Sequence, residues 1–90
     1  MQIEFDPAKR EKTRRERNLD FARADEVFRA RHLTAEDLRQ DYNECRYITV
    51  GTLGDDLVVM VWTPRGQARR IISMRKANER EKSRYARALE

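Results

Sequence analysis

Apolar and polar positions along this chain follow two periods, and the switches between them mark the elements. Ile3 and Phe5 alternate with Gln2, Glu4 and Asp6, which predicts a short opening strand. Asp6-Pro7 then marks a helix start. The carboxylate can accept from free backbone N–H groups, and Pro7 has no donor to lose at the first helical position. The helix predicted over 7–17 shows almost no apolar stripe beyond Ala8, so it packs weakly and faces water or a charged partner. Asn18 suits a left-handed cap, and Asp20 opens a second helix. Phe21, Ala24, Val27 and Phe28 recur at three-to-four spacing and bury one side of it.

Beyond that point strand patterns dominate. His32 to Ala35 reads as a short strand and Glu36 to Asn43 as a polar, acidic loop. Arg46 to Val50 forms a strand ending at Gly51, and Gly54-Asp55-Asp56 a turn. Leu57 to Thr63 is apolar on both faces, the mark of a central strand. Thr63-Pro64-Arg65-Gly66 predicts a three-residue hairpin, and Ala68 to Lys76 the last strand. Asn78 with Glu81 resembles a capping box opening a helix to about Leu89, docked through Tyr85 and Leu89. The order is β-α-α-β-β-β-β-α. It predicts an α+β sandwich with a mostly antiparallel four-stranded sheet, two N-terminal helices and a C-terminal helix. The helices cover one face and leave the other open to a ligand. With no repeat, low-complexity stretch or linker, residues 1–90 read as one domain.

Charged residues make up 40% and apolar ones 39%. A chain of this size buries about 60–65% of its unfolded surface, enough for one modest core. The apolar runs at 46–50, 57–63 and 71–74 argue against the disorder that such charge could bring. The one cysteine, Cys45, excludes an intramolecular disulfide and fits a reducing, cytoplasmic setting. It is expected as a small half-buried apolar residue rather than a nucleophile. Residues 1–6 lack the pattern of a signal peptide, and the run Leu57 to Trp62 is too short to span a bilayer. The charge is unevenly placed. Residues 65–90 hold nine Lys/Arg against three Glu, whereas residues 18–64 hold five basic and nine acidic side chains. A guanidinium is a planar fork suited to phosphate, so nucleic acid is the first-choice ligand of the cationic end.

By simple alternation, Arg70, Ile72, Met74 and Lys76 share one face of the last strand, and Arg69, Ile71, Ser73 and Arg75 the other. Arg69 and Lys76 are expected to reach solvent near the ends. Arg70 and Arg75 are open to either an internal or a ligand-binding role. Lying roughly 17 Å apart at about 3.3 Å per residue, they can bind separate phosphates of one strand but not clamp a single phosphate. Arg46 can pair with Glu44 two positions back, or Glu44 can act as a general base with Arg46 as a phosphate ligand. Tyr47, Trp62 and Tyr85 are the aromatics able to stack on a base, with Trp62 expected in the core. The single His32, the lack of acidic clusters at ligand spacing and only three glycines leave no zinc, two-metal or phosphate-loop motif. A nuclease built from this chain would be metal-independent. It would use the RNA 2′-OH as nucleophile and supply orientation and cations to the transition state.

Several stretches together resemble the BrnT family of type II toxin–antitoxin ribonucleases. They are Phe5-Asp6-Pro7-Ala8-Lys9, Phe21 to Phe28, Glu44-Cys-Arg46-Tyr-Ile-Thr-Val-Gly51 and Arg70-Ile-Ile-Ser-Met-Arg75-Lys76-Ala77, followed by Glu79-Arg80-Glu81 and Tyr85. The resemblance implies a RelE-like fold and RNA cleavage without a cofactor. It also implies neutralisation by a BrnA-type ribbon-helix-helix antitoxin, with operator DNA bound only through the toxin–antitoxin complex. Carried over by position, Arg70, Arg75, Glu44 and Tyr85 become candidate catalytic residues. Lys9, Arg46, Ser73, Lys76 and Arg80 become candidate RNA ligands. The chain departs from the family at Glu16-Arg17-Asn18, where members often carry Lys-His-Gly. Asn18 can adopt the left-handed glycine conformation, but Arg17 cannot shuttle protons as histidine can. Two rival readings stand beside the nuclease. One is a non-catalytic module binding nucleic acid or an acidic partner. The other is a structural interaction domain whose arginines are all satisfied internally.

Overall fold

The computed structural model describes residues 2–89. Five strands form one mixed sheet in the order β1-β5-β4-β3-β2: β1 (Gln2–Phe5), β2 (His32–Glu36), β3 (Tyr47–Leu53), β4 (Asp56–Arg65) and β5 (Ala68–Lys76). The helices are α1 (Pro7–Arg17), α2 (Ala24–Arg29) and α3 (Glu79–Tyr85), with a 3-10 turn at Phe21–Arg23 before α2. The α+β class holds. The expected four antiparallel strands become five because β1 joins the sheet, pairing parallel with β5 from Gln2↔Ala68 to Phe5↔Ile71. Alternation identifies a strand but not its distant partner. No described helix is long and apolar enough to cross a membrane.

The local signals behave as their chemistry dictates. Asp6 accepts from the Ala8 N–H at 2.9 Å, Pro7 opens α1, and Asn18 closes it in the left-handed region at φ 56°. None of the described residues of α1 is buried. The helix is held instead by polar clasps, a two-pronged Arg10–Asp20 pair at 2.7 and 3.0 Å and Arg17 Nη1 donating to the Met74 carbonyl at 2.9 Å. Phe21 and Val27 carry the buried side of the second helical segment against Met60, Ile71 and Met74. Each such side chain contributes about 1.5–3 kcal/mol by leaving water. Trp62 lies in this core as expected and donates to Thr49 Oγ1 at 2.8 Å.

Several boundaries, and the burial of Cys45, differ from the sequence pattern. Gly51 does not end β3 but sits inside it. A Cβ there would lie 2.8 Å from Val27 Cγ1 and 3.0 Å from His32 Cβ, so the missing side chain is what lets α2 close on the sheet. The β4–β5 loop holds two residues, Gly66 and Gln67, rather than three, because Arg65 still pairs with Ala68. The C-terminal helix stops at Tyr85 and continues as turns, although Tyr85 and Leu89 do pack as expected. Cys45 is exposed rather than half-buried, in the segment leading into β3.

The helices do not share one face. The segments α1 and α2 cover the face bearing Val58, Met60, Trp62, Ile71 and Met74. Residues of α3 and the turn after it, Tyr85 and Leu89, instead pack on the opposite face against Ile48, Val50, Leu57 and Val59. That face is therefore partly roofed rather than wholly open.

Candidate nucleic-acid interface

A single irregularity in β5 decides which cations meet. Val61 pairs with Ser73 and Trp62 with Ile71, so Ile72 faces no residue on β4 and forms a bulge. It falls one position after the last β1–β5 pair, where β5 loses its outer neighbour. An extra residue inverts the alternation. Arg69 and Ile71 join Met74 and Lys76 on the face of α1 and α2, while Arg70 joins Ser73 and Arg75 on the face of α3. The regular alternation expected from sequence, which parted Arg70 from Arg75, is thereby corrected. Their β4 partners, Thr63 and Val59, are four positions apart. The two arginines therefore stand about 13 Å apart along one face.

On this face a cleft of about 290 Å³ is lined by Ile48, Val50, Val59, Val61, Ser73, Tyr85 and three charged groups, Arg39, Arg75 and Glu81. The strands supply an apolar floor and the start of α3 one wall. Glu81 is doubly engaged. Its carboxylate accepts the Asn78 N–H at 3.0 Å in the capping box and receives both Arg75 nitrogens at 2.7 and 2.9 Å. The Arg75 guanidinium and the Asn78 N–H together pull its pKa down to about 2. Arg75 is raised in turn by that hydrogen bond, against burial and the nearby Arg39 charge. Two guanidiniums thus stand at one mouth, each held by a carboxylate, Arg39 by Asp37 and Arg75 by Glu81.

Arg39 is held there by a chain of contacts. It clasps the buried Asp37 with two bonds of 2.8 Å, and Tyr42 donates to the same carboxylate at 3.0 Å. These partners, Arg39 first, push the Asp37 carboxyl well below the usual range. Arg46 lies over the Tyr42 ring at 4.0 Å and pairs with Glu44 at 2.9 Å, the structural pairing open from the sequence. Arg70 is bound to its cross-strand neighbour Glu4 at 2.9 Å.

Of the residues carried over from the family, Ser73, Arg75 and Tyr85 line this one cleft. Arg70 shares the face but is occupied by Glu4. Glu44 and Arg46 lie toward the hairpin end, and Arg65 approaches Glu44 at 3.9 Å. Lys9 lines a separate cleft of about 280 Å³ between α1 and the free edge of β5, with Lys12, Thr13, Arg17, Ile72 and Ser73 among its neighbours. Ser73 thus borders both clefts. Lys76 sits opposite Val58 on the other face, 3.9 Å from Asp56, and Arg80 is exposed on α3. Arg39 is the member that pattern reading passed over as loop. Its signal was the Asp-x-Arg spacing of Asp37 and Arg39, the same two-residue step as Glu44 and Arg46.

A model of the family described as ribonuclease toxin, BrnT, of type II toxin–antitoxin system matches residues 5–81. The matched segment begins at Phe5 and ends at Glu81, so it encloses every cleft residue named above except Tyr85. No curated protein matches the chain.

Proposed function

From the premise that the chain belongs to the BrnT family of type II toxin–antitoxin ribonuclease toxins, we propose that it cleaves RNA without a metal at the cleft between β5 and α3. The observation carrying this reading is the Ile72 bulge, which gathers Arg70, Ser73 and Arg75 on the face that Arg39 and Tyr85 also reach. The ribose 2′-OH attacks the adjacent phosphorus, a new P–O2′ bond forms, and the P–O5′ bond breaks. The products are a 2′,3′-cyclic phosphate and a free 5′-hydroxyl. Arg75 and Arg39 neutralise the charge that builds on the non-bridging oxygens. Tyr85 gives its proton to the departing 5′ oxygen, and Ser73 hydrogen-bonds a phosphate oxygen. Glu81, with a pKa near 2, is too weak a base to take the 2′-OH proton and serves to aim Arg75. Glu44 lies toward the hairpin end, paired with Arg46, so the 2′-OH proton passes to solvent water at the open mouth of the cleft. Arg46 and Arg70 hold neighbouring phosphates, with Lys9, Lys76 and Arg80 as outlying contacts.

As a toxin it acts in the cytoplasm, where its RNA lies. A BrnA-type antitoxin neutralises it, and the pair represses its own operon through the antitoxin's DNA-binding part. One observation favours the structural reading, in which the strand arginines are satisfied internally: Arg70 and Arg75 both have carboxylate partners within the chain. Incubation of antitoxin-free protein with end-labelled RNA in chelator separates the readings. Cyclic-phosphate products from the wild type, none from Arg75→Ala, and resistance of 2′-O-methylated RNA support the nuclease. Binding without cleavage supports the module, and cleavage of DNA would overturn the 2′-OH mechanism.

A further inference from the structure

The cations of β5 are not treated alike by the fold. Arg70, Arg75 and Lys76 each approach a carboxylate, Glu4, Glu81 and Asp56 respectively. Arg69 has no ion pair or hydrogen-bonding side-chain partner among the described residues. It lies instead on the face of α1 and α2 with its guanidinium carbon 3.9 Å from the centre of the Phe28 ring and 4.9 Å from that of Trp62. The rings are themselves fixed. Phe28 meets Trp62 edge-on at 5.5 Å and His32 edge-on at 5.7 Å, and Tyr47 stacks on Trp62 at 5.0 Å. Arg69 is therefore a planar cation with little rotamer freedom left to lose. Burial alone pushes its pKa down, the sign of a charge partly stripped of water and given no counter-charge. No buried side-chain nitrogen lacks a hydrogen-bond partner among the described residues, so the N–H edge of Arg69 remains open to solvent.

A stacked, half-desolvated guanidinium with a free donor edge is prepared for an oxyanion. Its place specifies which one. Arg69 and Arg70 are consecutive and point to opposite faces next to a hairpin whose loop is only Gly66 and Gln67. A flexible polyanion crossing the hairpin end of the sheet would meet Arg70 on one face and Arg69 on the other. We propose that Arg69, seated on Phe28 and Trp62, is a second phosphate-binding subsite, holding the RNA strand where it bends around the β4–β5 hairpin away from the scissile bond. The subsite rests on the RNA-cleaving reading of the cleft above, and sets a minimum length of substrate strand for full affinity.

The experiment measures the affinity of a single-stranded, fully 2′-O-methylated oligonucleotide by fluorescence anisotropy over a range of salt. It compares wild type, Arg69→Gln, Arg69→Met and Arg69→Lys, with each melting temperature recorded. Loss of one phosphate contact lowers the magnitude of the salt slope by about 0.7 and weakens binding roughly tenfold at low salt in Arg69→Gln and Arg69→Met, while Arg69→Lys keeps the slope. Arg69→Met retains cover over the two rings, so it decides the matter if Arg69→Gln does not fold. Unchanged affinity and slope in Arg69→Met, in a preparation where Arg75→Ala still loses cleavage of ordinary RNA, overturns the subsite and leaves the nuclease standing. A wild-type protein that neither binds nor cleaves RNA overturns both.

Discussion

Glu81 shows how one side chain can serve the helix and the site together. It closes the capping box with Asn78 and orients Arg75, so its charge is wanted twice. Glu81→Gln should keep a weakened cap and lose the ion pair. The expected cost is about 1 kcal/mol, read as a fall of several degrees in melting temperature. Its lowered pKa also sets a pH window. The stabilisation is fully present above the unfolded value of 4.5 and is lost as pH falls towards about 2. Acid titrations of wild type and Glu81→Gln should therefore converge in that interval, and parallel curves would show that the pair contributes nothing. Arg75→Ala differs in kind. It leaves the cap intact, loses the same ion pair at a cost of at most about 1 kcal/mol, and is expected to abolish cleavage in a protein that stays folded. The capping box and the Glu44–Arg46 pair were legible from spacing alone, because their partners lie within three residues. Arg39 was not, since its importance depends on a loop returning to β5.

Among the elements, β5 and β3 carry the lessons. Hydrophobic alternation located both strands, yet the Ile72 bulge reversed the faces of half of β5. Nothing in the run Arg-Ile-Ile-Ser-Met marks a bulge, because it forms where β1 ends and α1 leans on the free edge. Deleting Ile72 removes the unpaired residue while keeping Ile71 opposite Trp62 and Ser73 opposite Val61. The deletion variant should thus stay folded, with Arg70 and Arg75 still on one face, and retain some cleavage. An unfolded product would show that Ile72 is needed for packing beneath α1. On β3, Gly51→Ala forces a methyl against Val27 and should cost about 1–3 kcal/mol in denaturant unfolding. A neutral result would mean that α2 can shift outward without loss.

At the scale of the molecule, the cationic C-terminal third does not form one uniform patch. The described cations of β5 divide between the two faces of the sheet, and most are tied to carboxylates from β1, β4 and α3. Under the proposed function, RNA would have to exchange those partners for phosphates. Association is expected to weaken with salt at a slope near −0.7 for each phosphate engaged, and a slope near zero would contradict a polyanion ligand. The sequence by itself determined the α+β class, the helix caps, the central strand and the family, because these rest on periodicity and on neighbours a few residues apart. It also marked Arg70 and Arg75 as the cations to watch. Only the tertiary structure decided that β1 pairs with β5, that α3 roofs the face away from α1 and α2, and that Arg39 joins Arg75. It likewise decided that Arg69, left without a carboxylate, rests on two aromatic rings. Each of these is a contact between distant segments, set by how surfaces pack rather than by any local pattern.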